Sequence, residues 1–159
     1  NETITERNLS QIHYLILQGI NNKQAGKYRN LQVLISGAKH VPPQPYLVQK
    51  EIESLFLWYN ENKDKLHPVE LSAEMHERLV TIHPFIDGNG RTARLLMNLI
   101  LLQNGFPIAI LKGDIDSRFK YYSALETAQV ERNKEPFINL IIQNLEEMLQ
   151  RMIRILGNL

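Results

Sequence analysis

Cysteine is absent from the 159 residues, which excludes disulfides and thiolate metal sites and fits a cytoplasmic protein. No apolar run approaches the length of a membrane span, and no signal-peptide pattern opens the chain, so no membrane partner is expected. Net charge is nearly absent as well. Eighteen Lys and Arg stand against 17 Asp and Glu, leaving no global field to draw in nucleic acid. Any anion binding must therefore be local. Internal repeats, low-complexity tracts and interdomain linkers are also missing. The expectation is one domain over residues 1–159, long enough to bury a core without staples. Its first residue is Asn1 rather than Met, so the domain is expected to be a fragment of a longer protein.

What is present is mostly helical periodicity. Leu9, Ile12, Ile16 and Ile20 recur at helical spacing with Gly19 near the stop. After Pro45, Val48, Ile52, Leu55 and Tyr59 share a face. Pro68 suits the first turn of a third helix whose stripe is Leu71, Met75, Leu79 and Ile82. From Leu95 to Leu102 only Asn98 interrupts the apolar residues, which predicts a central helix buried on most sides, ended by Gly105 and Pro107. Asp116 or Ser117 can cap a fifth helix running through Val130, and Pro136 opens a sixth reaching about Leu156. Val33-Leu34-Ile35, Ser36-Gly37 and Lys39-His40-Val41 read as a small β-hairpin or extended flap. The predicted fold class is all-α, a helical bundle with one small hairpin.

Chemistry concentrates in twelve residues, His83-Pro84-Phe85-Ile86-Asp87-Gly88-Asn89-Gly90-Arg91-Thr92-Ala93-Arg94. They join the end of the third helix to the start of the fourth. A helix N-terminus presents unpaired N–H groups and partial positive charge, a natural seat for phosphate. Gly88 and Gly90 let backbone approach a ligand, and Asn89 adds an amide donor to that cradle. Arg91 and Arg94 lie three apart on the first turn, where the macrodipole disfavours cations unless they serve an anion. Their forks suit phosphate. Asp87 is a hard oxygen ligand beside that seat, fit to hold Mg²⁺ or Mn²⁺ together with phosphate oxygens; stabilising an Asx-type turn is its plainer role. His83 is the candidate general base for a hydroxyl nucleophile, with helix capping as the structural alternative. Phe85 carries no such chemistry and is expected to plug the core under the loop. His13, His40, His67 and His76 share no metal-ligand spacing and read as surface or packing residues.

The dodecamer matches H-x-F-x-[DE]-G-N-G-R-x-x-R at every specified position and so resembles the signature of the Fic (filamentation-induced-by-cAMP) family. Gly26-Lys27-Tyr28-Arg29 through His40-Val41-Pro42-Pro43 resembles that family's substrate flap. Arg118-Phe119-Lys120-Tyr121-Tyr122-Ser123-Ala124-Leu125 resembles its adenine-side helix. The resemblance implies a Fic-type bundle and a protein adenylyltransferase using ATP as co-substrate, which moves AMP onto a Tyr, Thr or Ser hydroxyl of a target protein and releases pyrophosphate. It implies Asn89 at the α-phosphate, Arg91 at the β-phosphate and Arg94 at the γ-phosphate. It also implies Tyr122, Leu125 and Gln129 on the adenine side, although close relatives of this pattern often carry Asn at the position of Gln129. Doc toxins, which resemble Fic, have lysine at the position of Gly90 and transfer phosphate; glycine favours the AMP-transferring branch.

The flap from Val33 to Val41 is expected to dock the target by main-chain pairing, against the alternative of an ordinary surface hairpin. Many members of the family carry an inhibitory [ST]-x-x-x-E-[GN] segment whose Glu pairs with the arginine matching Arg94. This sequence has none: Leu57 breaks the match before Glu61-Asn62, and neither Gly nor Asn follows Glu146-Glu147. The expectation is an inhibitory segment upstream, or otherwise an antitoxin acting in trans. A homodimer is left open. The rival functions are a different nucleotide donor, removal of AMP, and a non-catalytic nucleotide-binding regulatory module.

Overall fold

The computed structural model describes residues 3–157 and builds them into six α-helices. These are α1 (Glu6–Leu17), α2 (Val48–Asn62, preceded by a 3₁₀ turn at Pro45–Leu47), α3 (Pro68–Ile82), α4 (Asn89–Gln103), α5 (Ile115–Val130) and α6 (Glu135–Leu156). Local signals set most of the ends. Thr5 and Asn8 form a capping box before α1, the Thr5 N–H donating to Asn8 Oδ1 at 2.8 Å. Pro68 and Pro136 stand in the first turns of α3 and α6, where a missing N–H costs nothing. Gly105 follows α4 at φ 79°, a conformation that favours glycine.

Helices α3 and α4 form the centre, with α2 and α6 against α3, α1 against α4, and α5 against both α6 and α3. Ala93, Leu96, Met97, Ile100 and Leu101 of α4 are fully buried against Met75 and Leu79 of α3. The fourth helix is central as predicted, but Leu95 and Leu102, seven residues apart on one face, are more than half exposed. Asn98 breaks the apolar run because its carboxamide bonds both backbone groups of Ala109, at 2.8 and 3.2 Å, and pins the chain that leaves the helix.

Three expectations are adjusted. The buried face of α1 is Leu9, His13 and Leu17; Ile20 lies past the helix end and is exposed, because the helix stops before Gly19. Asp114 caps α5, accepting from the Ser117 N–H at 2.9 Å, in place of Asp116 or Ser117. The flap is there as two extended segments around a turn closed by Ala38 N–H to Ile35 O at 3.1 Å, but no strand ladder forms among the described residues.

One packing choice makes stability depend on pH. His76 is fully buried, stacked on Phe137 with centroids 5.0 Å apart, and its Nε2 lies 3.3 Å from the Tyr121 hydroxyl. Burial first, then the charge of Arg94, push its pKa from 6.5 to about 3. The unfolded chain takes this proton near 6.5 and the folded chain resists it until about 3. The stability from a neutral His76 is therefore full above 6.5 and is lost as pH falls through that window. The loss is of order 5 kcal/mol at about 1.4 kcal/mol per unit. Urea unfolding at stepped pH should show a falling midpoint for wild type and a flatter profile for His76→Leu; equal slopes would refute this origin.

Candidate active site

The twelve-residue motif is the loop between α3 and α4 together with the first turns of α4, and much of what fixes it lies beneath the cleft. His83 ends α3 in the left-handed region, φ 52° and ψ 57°, and so turns out of the helix axis. Gly88, at φ 81°, starts α4; a Cβ there would also stand 3.4 Å from the His13 ring. Phe85 is fully buried and stacks on His13 with centroids 3.6 Å apart and planes 6° from parallel. The Asn89 carboxamide closes the loop, accepting from the Phe85 N–H at 2.9 Å and donating to the Phe85 carbonyl at 2.8 Å. An amide has two N–H donors, so one remains for the cleft, which Asn89 lines.

His13 is the support that sequence reasoning left unassigned beyond packing. Its Nδ1 accepts from the Gly26 N–H at 2.9 Å, which puts the proton of the neutral ring on Nε2, 3.0 Å from the Asp87 carbonyl. One buried imidazole thus ties the chain before the flap to the middle of the motif. Burial holds its pKa below the ordinary value, so it is neutral at physiological pH.

The His83 ring is set for accepting a proton. Its Nδ1 lies 3.3 Å from the Val80 carbonyl, which can only accept, so Nδ1 carries the hydrogen and Nε2 keeps a free lone pair. Burial lowers its pKa most; the Val80 bond opposes, and Arg29 and His40 add to the lowering. The imidazole is therefore a neutral base near pH 7.

Asp87 accepts from the Gly88 N–H at 2.6 Å and pairs with Arg91 at 3.1 Å. Both partners are substantially exposed, so the ion pair is worth little and is easily exchanged for a ligand. Among the described residues no group of three or more His, Asp or Glu is arranged around a metal position. Arg94 has no carboxylate partner among the described residues. It lies next to Gly90, 3.6 Å from where a Cβ would stand. Tyr121, buried beside it, is pushed up to about 12 by that burial, with Arg94 opposing.

A single cleft of about 620 Å³ brings these pieces together. His83, residues 86–91 and Arg94 line it. Tyr121, Tyr122, Leu125 and Gln129 of α5 and residues 35–38 of the flap line it as well. Every predicted site residue lines it. Tyr122 is half-exposed, Leu125 is buried, and Gln129 donates to Thr81 Oγ1 at 3.0 Å, so its amide is already oriented by α3. Glu126 was not anticipated. It lines the same cleft and pairs with Lys39 at 2.6 Å, which joins the flap to α5.

Known proteins resemble this chain in sequence and in fold. The sequence profile of the Fic/DOC family matches residues 3–101. "Protein adenylyltransferase Fic" of Nematostella vectensis is 39% identical over 150 residues, covering 94% of this chain and 34% of that protein. A structure of Fic-1 from C. elegans superposes with a TM-score of 0.86 at 32% identity, over 98% of this chain and 44% of that one. A Fic domain containing signaling protein from Bacteroides thetaiotaomicron superposes with a TM-score of 0.76 at 30% identity, over 90% of this chain and 61% of that one. This chain spans about a third of the length of the Nematostella relative. The loop built on His13 and Phe85, the six helices around it and these likenesses make the chain a member of the Fic/DOC family.

Proposed function

We propose that this domain is a protein adenylyltransferase that moves AMP from ATP to a hydroxyl side chain of a target protein. The observation that carries the reading is the cleft itself. A neutral imidazole, a glycine-framed helix N-terminus, a guanidinium with no carboxylate partner among the described residues and an extended flap all line one volume of about 620 Å³, within the range of small-molecule sites. The relatives named adenylyltransferases support it.

The chemistry follows from where the charges are. The target hydroxyl oxygen attacks the α-phosphorus and its proton passes to His83 Nε2. The bond from the α-phosphorus to the bridging oxygen breaks, and pyrophosphate leaves with the electron pair. Backbone N–H groups at Asn89 and Gly90 in the first turn of α4 and the spare Asn89 side-chain N–H stabilise charge gathering on the α-phosphate. Arg91, released from Asp87, takes the β-phosphate, and Arg94 takes the γ-phosphate, so both hold the leaving group. Tyr122, Leu125 and Gln129 orient the base.

A divalent cation fits at Asp87. That carboxylate is exposed, its pair with Arg91 is easily exchanged, and among the described residues no cluster of three or more metal-ligating side chains forms, which suits Mg²⁺ or Mn²⁺ shared with phosphate oxygens and water better than an all-protein cage. When bound, such an ion supplies charge neutralisation on the phosphates. Asp87→Asn should lower transfer roughly 10- to 100-fold and raise the metal concentration needed, the scale typical of altered metal-site groups. Unchanged metal titration curves would remove Asp87 from that role.

The flap is the docking edge for the target. Leu34 and Val41 are strongly exposed on it, and its extended backbone, which joins no strand ladder among the described residues, can accept an extended segment without demanding its sequence. Arg94 is also the group that an inhibitory glutamate would engage, whether from an upstream segment or from a protein in trans. The decisive experiment is intact-mass analysis of candidate targets incubated with the domain, ATP and Mg²⁺. Gain of one AMP residue supports transfer; free AMP with no adduct indicates hydrolysis, and bound but unconsumed ATP indicates a regulatory module.

A further inference from the structure

Arg29 is buried to 3% exposure, yet it lines no part of the nucleotide cleft. Every arm of its guanidinium is bonded. Nε donates to the His83 carbonyl at 2.8 Å, one terminal nitrogen to the Leu31 carbonyl at 3.0 Å, and the other to the Pro43 carbonyl at 2.6 Å. Its backbone N–H donates to the Pro84 carbonyl at 2.9 Å. Leu31 and Pro43 are the two legs of the flap, just outside the extended segments. His83 is the residue whose left-handed backbone aims its ring at the cleft. A non-glycine residue in that region is strained and needs surrounding contacts to maintain it.

We propose that Arg29 is a positioning residue that fixes the flap, and hence a docked hydroxyl, in register with the His83 ring. It rests on the reading of His83 as the base. The planar fork suits the task because three carbonyls from separate segments converge on one rigid group. A buried cation bonded to neutral carbonyls is an expensive arrangement with no counter-ion among the described residues, which points to a purpose beyond packing. Burial pulls the guanidinium below its ordinary value, but arginine stays charged in proteins. That charge lies close enough to His83 to disfavour the imidazolium. His40 is the other titratable group acting on the ring, held with its Nε2 2.8 Å from the Thr81 carbonyl. Arg29 thus supplies both the geometry and part of the neutrality that a base requires.

The test compares wild type, Arg29→Lys and Arg29→Gln by histidine NMR titration and by amide hydrogen exchange, with His83→Ala assigning the resonance. Arg29→Gln should raise the His83 midpoint toward the ordinary histidine value. It should also speed exchange together at residues 30–43 and 83–85, by roughly tenfold or more, the scale of one lost charge-assisted hydrogen bond. Arg29→Lys should speed exchange at both places yet leave the midpoint near wild type, because it keeps the charge and loses the fork. Turnover of ATP with a hydroxyl acceptor should drop by roughly 10²-fold in both variants, with ATP affinity unchanged by calorimetry. A wild-type midpoint with wild-type exchange in Arg29→Gln would overturn the inference. So would faster exchange confined to the flap in Arg29→Lys, the variant that decides if Arg29→Gln does not fold. Transfer persisting in His83→Ala would instead overturn the base assignment and leave the exchange result standing.

Discussion

His83→Ala is expected to lower AMP transfer by roughly 10²- to 10⁴-fold, the range that general-base catalysis contributes, and to leave ATP binding intact. The split follows from position. The imidazole sits at the end of α3 with a free Nε2, whereas the groups proposed to hold the triphosphate are the α4 N-terminus, Arg91 and Arg94, which line the same cleft. Calorimetry with a non-hydrolysable ATP analogue beside a transfer assay reads both halves. The pH profile adds a sign. His83 must be neutral to act, and its pKa is held below the ordinary 6.5. The acid limb of kcat/KM should therefore fall at a pH below 6.5, with full activity retained at and above neutrality. An acid limb above 6.5, or normal transfer by the mutant, would remove the base assignment.

Phe85→Ala is expected to cost roughly 3–5 kcal/mol, the penalty of emptying a fully buried aromatic site. Phe85 has no exposure, stacks on His13 and meets Tyr28 at 5.4 Å, so its removal leaves a void under the loop. The His13 bridge from Gly26 to Asp87 then loses the face it rests on. Denaturant unfolding should show a lower midpoint with little change in slope. Transfer should fall more than the unfolded fraction accounts for, since the cradle is no longer held. A loss under about 1 kcal/mol would show that the loop is supported elsewhere.

Much of the site was legible in the sequence because its chemistry is contiguous. His83 to Arg94 places base, carboxylate, cradle and both guanidinium groups within one loop and one helical turn, so spacing alone brings them together. Helix ends were legible where proline or glycine marks them, at Pro68, Gly105 and Pro136. Supports that come from far along the chain were not. His13 reaches Asp87 across 74 residues and Arg29 reaches His83 across 54, and no local pattern announces either contact. Asp114, Asp116 and Ser117 are all competent caps within four residues, and only the path of the incoming chain selects Asp114. The β-prone Val33-Leu34-Ile35 run stays extended without a ladder because propensity supplies no partner strand.

In the proposed reaction the α-phosphate, with its nucleoside, moves to a hydroxyl while the outer phosphates leave. Parallel incubations with ATP labelled in the α-phosphate and in the γ-phosphate, with Mg²⁺ and candidate targets, test it directly. Covalent label from the α-position only, with the γ-label recovered as pyrophosphate, is the expected result. Covalent label from the γ-position would contradict it, because that outcome is phosphate transfer.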